Sequence, residues 1–202
     1  MAVVEFLFDF GSPNAFLSHR VIPGIENRTG ATFEYTPVLL GGIFKATGNQ
    51  SPMQAFGHIK NKPAYEQLEM QRFIRRHHID DFNFNPFFPI NTLNLMRMAV
   101  AAKDEGYLPK YMDAVFHGMW VDPRKMDDPE IAKAALAEAG LDPALYERAQ
   151  APAVKAKLIA NTEAAVARGA FGIPTFFVGG EMFFGKDRLR DVEEAIVNSP
   201  SP

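Results

Sequence analysis

The chain has 202 residues, 47 % of them hydrophobic, and a formal net charge of −3. That is apolar mass enough for a sizeable core, and too little basic charge for a nucleic-acid partner. The absence of cysteine excludes disulfides, thiolate metal sites and redox chemistry on a thiol of the chain itself. No apolar run approaches the ~20 residues of a membrane span. The N-terminus has no basic segment ahead of a cleavable apolar core. A cytoplasmic protein with no membrane or nucleic-acid partner is expected.

Val3, Val4, Phe6, Leu7 and Phe8 form a short apolar run, the pattern of a buried strand. Gly11 allows a tight turn, Ser12 stands where a helix N-cap belongs, and Pro13 where the first helical residue belongs. Ala15, Phe16, Ser18, His19, Val21 and Ile22 continue at helical spacing. Ser12 alone has two readings. It is an ordinary cap contributing ~1 kcal/mol to the helix, or a hydroxyl presented to an anion by a helix N-terminus. Residues 32–36 alternate and read as a second strand, parallel to the first through a βαβ connection and ended by Pro37 and Gly41-Gly42.

From Ile43 to Arg168 the chain turns helical. Apolar periodicity predicts helices over 64–77, 92–105, 107–120 and 129–138, the last capped by Asp128, with two more over 143–149 and 151–168. Gly169 is a natural C-cap. Strand signals return at 175–178 and 181–184, separated by Gly179-Gly180 as in a hairpin. Gly185 ends the second strand, and 189–197 is a final amphipathic helix. The Ser-Pro-Ser-Pro tail at 199–202 is expected to fray. The order is β-α-β, a helical block, then β-β-α.

That order, with Pro174 just before the third strand, resembles the thioredoxin fold in its DsbA-like branch. The resemblance implies an α/β thioredoxin-like unit of residues 1–40 and 170–202, with a large inserted helical unit of residues 41–169. Phe8-Asp9-Phe10-Gly11-Ser12-Pro13 occupies the reactive turn, with serine where oxidoreductases of the fold have cysteine. Gly172-Ile173-Pro174-Thr175 occupies the loop whose proline is cis, and Phe184-Gly185-Lys186-Asp187-Arg188-Leu189 follows the last strand. With Thr47-Gly48-Asn49, Asn61-Lys62-Pro63 and Phe88-Pro89-Ile90-Asn91-Thr92, these pieces resemble 2-hydroxychromene-2-carboxylate isomerases and the related kappa-class glutathione transferases, end to end. One departure is Asn14, where the family often has an aromatic residue after Ser-Pro.

The resemblance implies a homodimeric, glutathione-dependent isomerase acting on a small aromatic substrate in aromatic catabolism. A borrowed thiolate adds to the conjugated carbon of the ring-opened substrate, the former double bond rotates, and the thiolate leaves. Ser12 becomes the catalytic hydroxyl facing the glutathione sulfur. Pro174 lets the Ile173 backbone pair with an extended peptide. Lys62 takes a carboxylate and Asp187 the γ-glutamyl ammonium, where the plain readings are solvated charges and, for Asp187, a cap of the last helix. Asn49 is a further polar candidate or a turn residue. Lys186 approaches through its backbone, and Arg188 is as well placed for a structural role.

His77 and His78 are not read as a metal site, because helix neighbours do not share a face and no ligand set accompanies them; no metal is expected. Phe82, Phe84, Phe87 and Phe88 either line an apolar pocket or, the preferred reading for most of them, pin a loop to the core. Trp120 is read as core or pocket wall. The rivals are a kappa-class-like transferase or peroxidase on another electrophile, and a non-catalytic thioredoxin-fold module that binds peptides.

Overall fold

Among the described residues, one four-stranded sheet brings together strands from the N-terminal and C-terminal parts of the chain. β1 (Val3–Phe8) pairs in parallel with β2 (Thr32–Pro37) and antiparallel with β3 (Thr175–Val178). β3 pairs antiparallel with β4 (Glu181–Phe184), so the order is β2-β1-β3-β4. This computed structural model describes residues 2–199. The expected fraying of the tail falls, beyond Ser199, outside the described residues.

The helices are α1 (Pro13–Thr29), α2 (Leu40–Thr47), α3 (Pro52–Phe56), α4 (Lys62–His77), α5 (Leu93–Asp104), α6 (Leu108–Trp120), α7 (Pro129–Glu138), α8 (Leu145–Arg148), α9 (Pro152–Ala167) and α10 (Leu189–Asn198). The expected βαβ unit and hairpin both form. So do the predicted helices, except that the segment at 143–149 shrinks to the single turn of α8. His77 ends α4, and His78 takes the left-handed conformation beyond it. Gly169, at φ 98°, follows α9.

One element departs from expectation. Gly41 and Gly42 do not end a strand; they lie inside α2. The helix starts here because tertiary partners take its first donors. The Leu39 N–H donates to the Thr162 hydroxyl at 3.0 Å and the Leu40 N–H to Asp9 Oδ2 at 2.8 Å. Gly42 suits the position: a Cβ there would stand 3.1 Å from Thr162 Cγ2 of α9. Close packing thus outweighs the low helix propensity of glycine.

Residues of β1 that point to opposite faces, Phe6 and Phe8 on one and Leu7 on the other, are all fully buried, so the sheet is covered on both sides. α1 and α10 pack together and α10 against β3, while α5 and α9 pack against β2. Tyr35, Phe6 and Phe176 form a cross-strand row with ring centroids 5.0 Å apart at each step. The core continues into the helical block through Phe8, Phe10 and Phe116, with Phe10 and Phe116 at 4.8 Å. Trp120 and Tyr111 are fully buried within it.

Candidate active site

The turn after β1 is built around one buried carboxylate. Ser12 N–H donates to the Asp9 carbonyl at 3.1 Å, and Asp9 Oδ1 accepts the Gly11 N–H at 2.9 Å. Gly11 is needed for closeness: a Cβ there would meet Thr92 Cγ2 at 3.2 Å and Asp9 Oδ1 at 3.4 Å. Burial drives the Asp9 carboxyl above the usual carboxylate range, and donors from Leu40, Gly11 and Thr92 partly offset this.

Ser12 then caps α1. Its backbone is extended (φ −98°, ψ 111°), its Oγ accepts the Ala15 N–H at 3.2 Å, and Pro13 opens the helix, as expected. The hydroxyl is buried and also has an acceptor, the Ile173 carbonyl at 3.2 Å. The oxygen therefore sits at a helix N-terminus with one lone pair and its proton both engaged.

The partner loop carries a cis Ile173–Pro174 peptide. Its shape is held by three bonds. Thr175 Oγ1 donates to the Gly172 carbonyl at 2.8 Å, Gly185 N–H to the Pro174 carbonyl at 2.9 Å, and Asn49 Nδ2 to the Phe171 carbonyl at 2.7 Å. Asn49 Oδ1 accepts the Gln50 N–H at 2.8 Å, so Asn49 shapes the loop from both ends of its amide. Among the described residues, the Ile173 N–H donates to no protein acceptor. Ile173 is buried, and its carbonyl is the atom that meets Ser12.

The Gly185–Pro174 bond draws the following turn to the same loop. Lys186 is buried, its ammonium 2.6 Å from Asp187 Oδ1 and 4.8 Å from the centre of the Phe73 ring of α4. The Asp187 side chain is 66 % exposed and faces solvent. It does not cap α10, which begins at Leu189 after Arg188, a cap position without a side-chain cap bond. Lys62 lies at the opposite end of α4 from Phe73, about 16 Å along the helix axis. There it pairs with Glu66 at 3.2 Å and lies over the Phe56 ring. Bonds thus gather Ser12, Ile173, Pro174, Asn49, Lys186 and Asp187 around one loop, whereas among the described residues the Lys62 side chain bonds only Glu66.

A cluster of rings borders the Ser12 turn. Trp120 Nε1 donates to the Phe10 carbonyl at 2.9 Å. Phe82 stacks on both Phe16 and Trp120, as a pinning residue should. Phe84 and Phe88 also reach Trp120, yet they remain 55 % and 37 % exposed, and Phe87 is 50 % exposed. The loop is instead fastened by Asn85, whose buried amide donates to the Met119 and Arg124 carbonyls, each at 3.0 Å, and accepts the Phe87 N–H. Neither Asp9 nor Asn85 stands out in the sequence, since short polar residues in turns are ordinary. A groove of about 330 Å³ lined by Phe16, His19, Arg20, Asp113 and Phe116, among others, contains none of the expected site residues.

The whole chain compares with known proteins. A family model described as a DSBA-like thioredoxin domain matches residues 3–197. A 2-hydroxychromene-2-carboxylate isomerase of Sphingobium xenophagum is 26 % identical over 199 residues, covering 96 % of this chain and 98 % of that one. Glutathione S-transferase kappa 1 of Homo sapiens is 29 % identical over 203 residues, covering 92 % and 87 %. A solved structure of a selenomethionine 2-hydroxychromene-2-carboxylate isomerase matches with a TM-score of 0.81 and 27 % identity over 96 % of this chain and 94 % of that one. By its matched model and its four-stranded sheet, this chain belongs to the DSBA-like thioredoxin domain family.

Proposed function

We propose that this protein is a glutathione-dependent isomerase interconverting 2-hydroxychromene-2-carboxylate and trans-o-hydroxybenzylidenepyruvate in aromatic catabolism. The observation that carries this reading is the Ser12 hydroxyl at the N-terminus of α1, bonded to the carbonyl of Ile173 just before the cis Pro174. The residues present fit glutathione at its sulfur and its backbone. A hydroxyl at a helix N-terminus suits an anionic sulfur. The Ile173 N–H, which has no acceptor among the described residues, suits a peptide carbonyl. When bound, glutathione supplies the thiolate nucleophile that a cysteine-free chain lacks.

Ser12 turns its proton from the Ile173 carbonyl toward the sulfur while keeping the Ala15 bond. Asp187, exposed beside Lys186, takes the γ-glutamyl ammonium through its second oxygen. Lys62 takes a carboxylate by leaving Glu66, an exposed pair of the kind that contributes about 0.3–0.5 kcal/mol. The exposed rings of Phe84 and Phe88 receive the aromatic part of the substrate. Residues 41–169 are read as the insertion, meeting the thioredoxin-like unit at Phe10 and Phe116. In a homodimer, the exposed Met53, Phe56, Tyr65 and Leu68 of α3 and α4 would be covered.

The test is turnover of 2-hydroxychromene-2-carboxylate with and without glutathione. Isomerisation that requires glutathione supports the reading. Isomerisation at full rate without it, or no isomerisation in its presence, contradicts it. The similarity to glutathione S-transferase kappa 1 favours a second reading, conjugation of another electrophile, for which a stable glutathione adduct would be the product.

A further inference from the structure

We propose that Asp9 is a positioning residue that holds the Ser12 hydroxyl in register with the Ile173 carbonyl by tying the Ser12 turn to α2 and to Thr92. The inference rests on the reading of Ser12 as the hydroxyl that faces a thiolate. Asp9 is fully buried, one turn ahead of Ser12, and its two oxygens serve two different elements. Oδ1 takes the Gly11 N–H of the turn, and Oδ2 takes the Leu40 N–H that opens α2. Thr92 packs on the same turn: its Cγ2 and Oγ1 would stand 3.2 Å and 3.7 Å from a Cβ on Gly11, and Asp9 Oδ1 3.4 Å from it. Thr92 precedes α5 without capping it, so that hydroxyl is not used by its own helix.

At its other end, α2 leads through Gly48 to Asn49, whose amide holds the Phe171 carbonyl. Two residues on, the Ile173 carbonyl accepts the Ser12 hydroxyl. The contacts close a circuit: Asp9, α2, Asn49, the proline loop, Ser12, and back through the turn to Asp9. α2 is the strut of that circuit, and Asp9 fixes the end nearest the reactive hydroxyl. A carboxylate is required rather than an amide, because both recorded backbone partners are donors. Asparagine would fill the same volume but point an NH₂ group at one of the two N–H groups.

The experiment compares the wild type with Asp9→Asn and Thr92→Val. It measures backbone amide exchange at Gly11 and Leu40 without ligand, and turnover and the thiol pKa of bound glutathione with it. In Asp9→Asn, exchange at one or both amides should accelerate, and kcat should fall roughly tenfold, as for one misplaced charge-assisted hydrogen bond. KM for glutathione should change by less than about threefold, and the thiol pKa of bound glutathione should rise. A carboxylate acting by its charge alone would have the opposite effect, since neutralising it would lower that pKa. A lowered pKa, or wild-type exchange at both amides, overturns the proposal. Should Asp9→Asn not fold, Thr92→Val decides: a raised pKa supports the proposal and wild-type behaviour overturns it. If the wild type binds no glutathione, the reading of the site fails on its own account, and amide exchange alone then decides whether Asp9 holds the turn.

Discussion

The Ser12 hydroxyl donates to the carbonyl of Ile173, a residue 161 positions away, at 3.2 Å. The bond joins the helix start after β1 to the loop before β3, and it sets the size of any effect Ser12 has on a bound thiol. A hydrogen bond to a charged group contributes about 1.5–3 kcal/mol, and a neutral one about 0.5–1.5. Exchanging the carbonyl for a thiolate therefore gains about 1–1.5 kcal/mol, close to one pKa unit.

Ser12→Ala should accordingly slow turnover near pH 7 by roughly tenfold. It also removes the cap of α1, so stability should fall by about 1 kcal/mol. Steady-state kinetics and denaturant unfolding on the same preparation separate the two effects.

Asn85→Ala should destabilise the protein by about 2–4 kcal/mol. It leaves the Met119 and Arg124 carbonyls and the Phe87 N–H without their partner. Urea unfolding should show a lower midpoint with an unchanged slope. A loss below about 0.5 kcal/mol would mean that the aromatic loop is held by its rings instead.

Asp9 gives a pH dependence of known sign. Burial raises its folded-state pKa above the unfolded value of about 3.9. The native state therefore binds more protons than the unfolded state between those two values. The stability due to Asp9 is fully present below about pH 3.9 and declines as pH rises through the folded pKa. The stability difference, wild type minus Asp9→Asn, should thus be largest in acid and fall with rising pH until Asp9 is ionised. Unfolding measured across the acid range checks this, and a difference that grows with pH would contradict it.

Much of the fold is legible in the sequence because it rests on local pattern. The apolar run of β1, the Ser12-Pro13 start of α1, the Gly179-Gly180 hairpin and the helical periodicities all specify their own elements. α2 is not legible, because Gly41 and Gly42 argue against a helix and only Asp9 and Thr162, distant in sequence, support its first turn. The site is legible where residue type and motif coincide, as at Ser12 and Pro174. Asn49 is legible as a polar candidate or turn residue, but sequence cannot show that its amide bonds the Phe171 carbonyl. The aromatic run divides for a similar reason: Phe82 is buried among rings, while Phe84, Phe87 and Phe88 stay open because Asn85 already holds the loop.

Phe84→Ala and Phe88→Ala should each raise KM for an aromatic substrate by about two- to tenfold, the range expected from losing one ring–ring contact of ~0.5–1.5 kcal/mol. Glutathione affinity should stay within about twofold. Equal losses for both ligands would place these rings in the support of the whole loop.

Asp187→Asn should weaken glutathione binding by about tenfold, and Lys62→Met by no more than about threefold. Asp187 stands on the turn bonded to the proline loop, whereas Lys62 must first leave Glu66. Calorimetric titration of both variants orders the two contributions; a larger loss for Lys62→Met would reverse it.

The most direct measurement is the ultraviolet thiolate absorbance of bound glutathione as a function of pH, in the wild type and in Ser12→Ala. The wild type should show a thiol pKa about one unit below the ~8.5 of a free thiol. Ser12→Ala should return it most of the way to that value, with glutathione still bound. An identical titration in the two proteins, or a wild-type thiol that titrates as it does free in solution, would contradict the role given to Ser12.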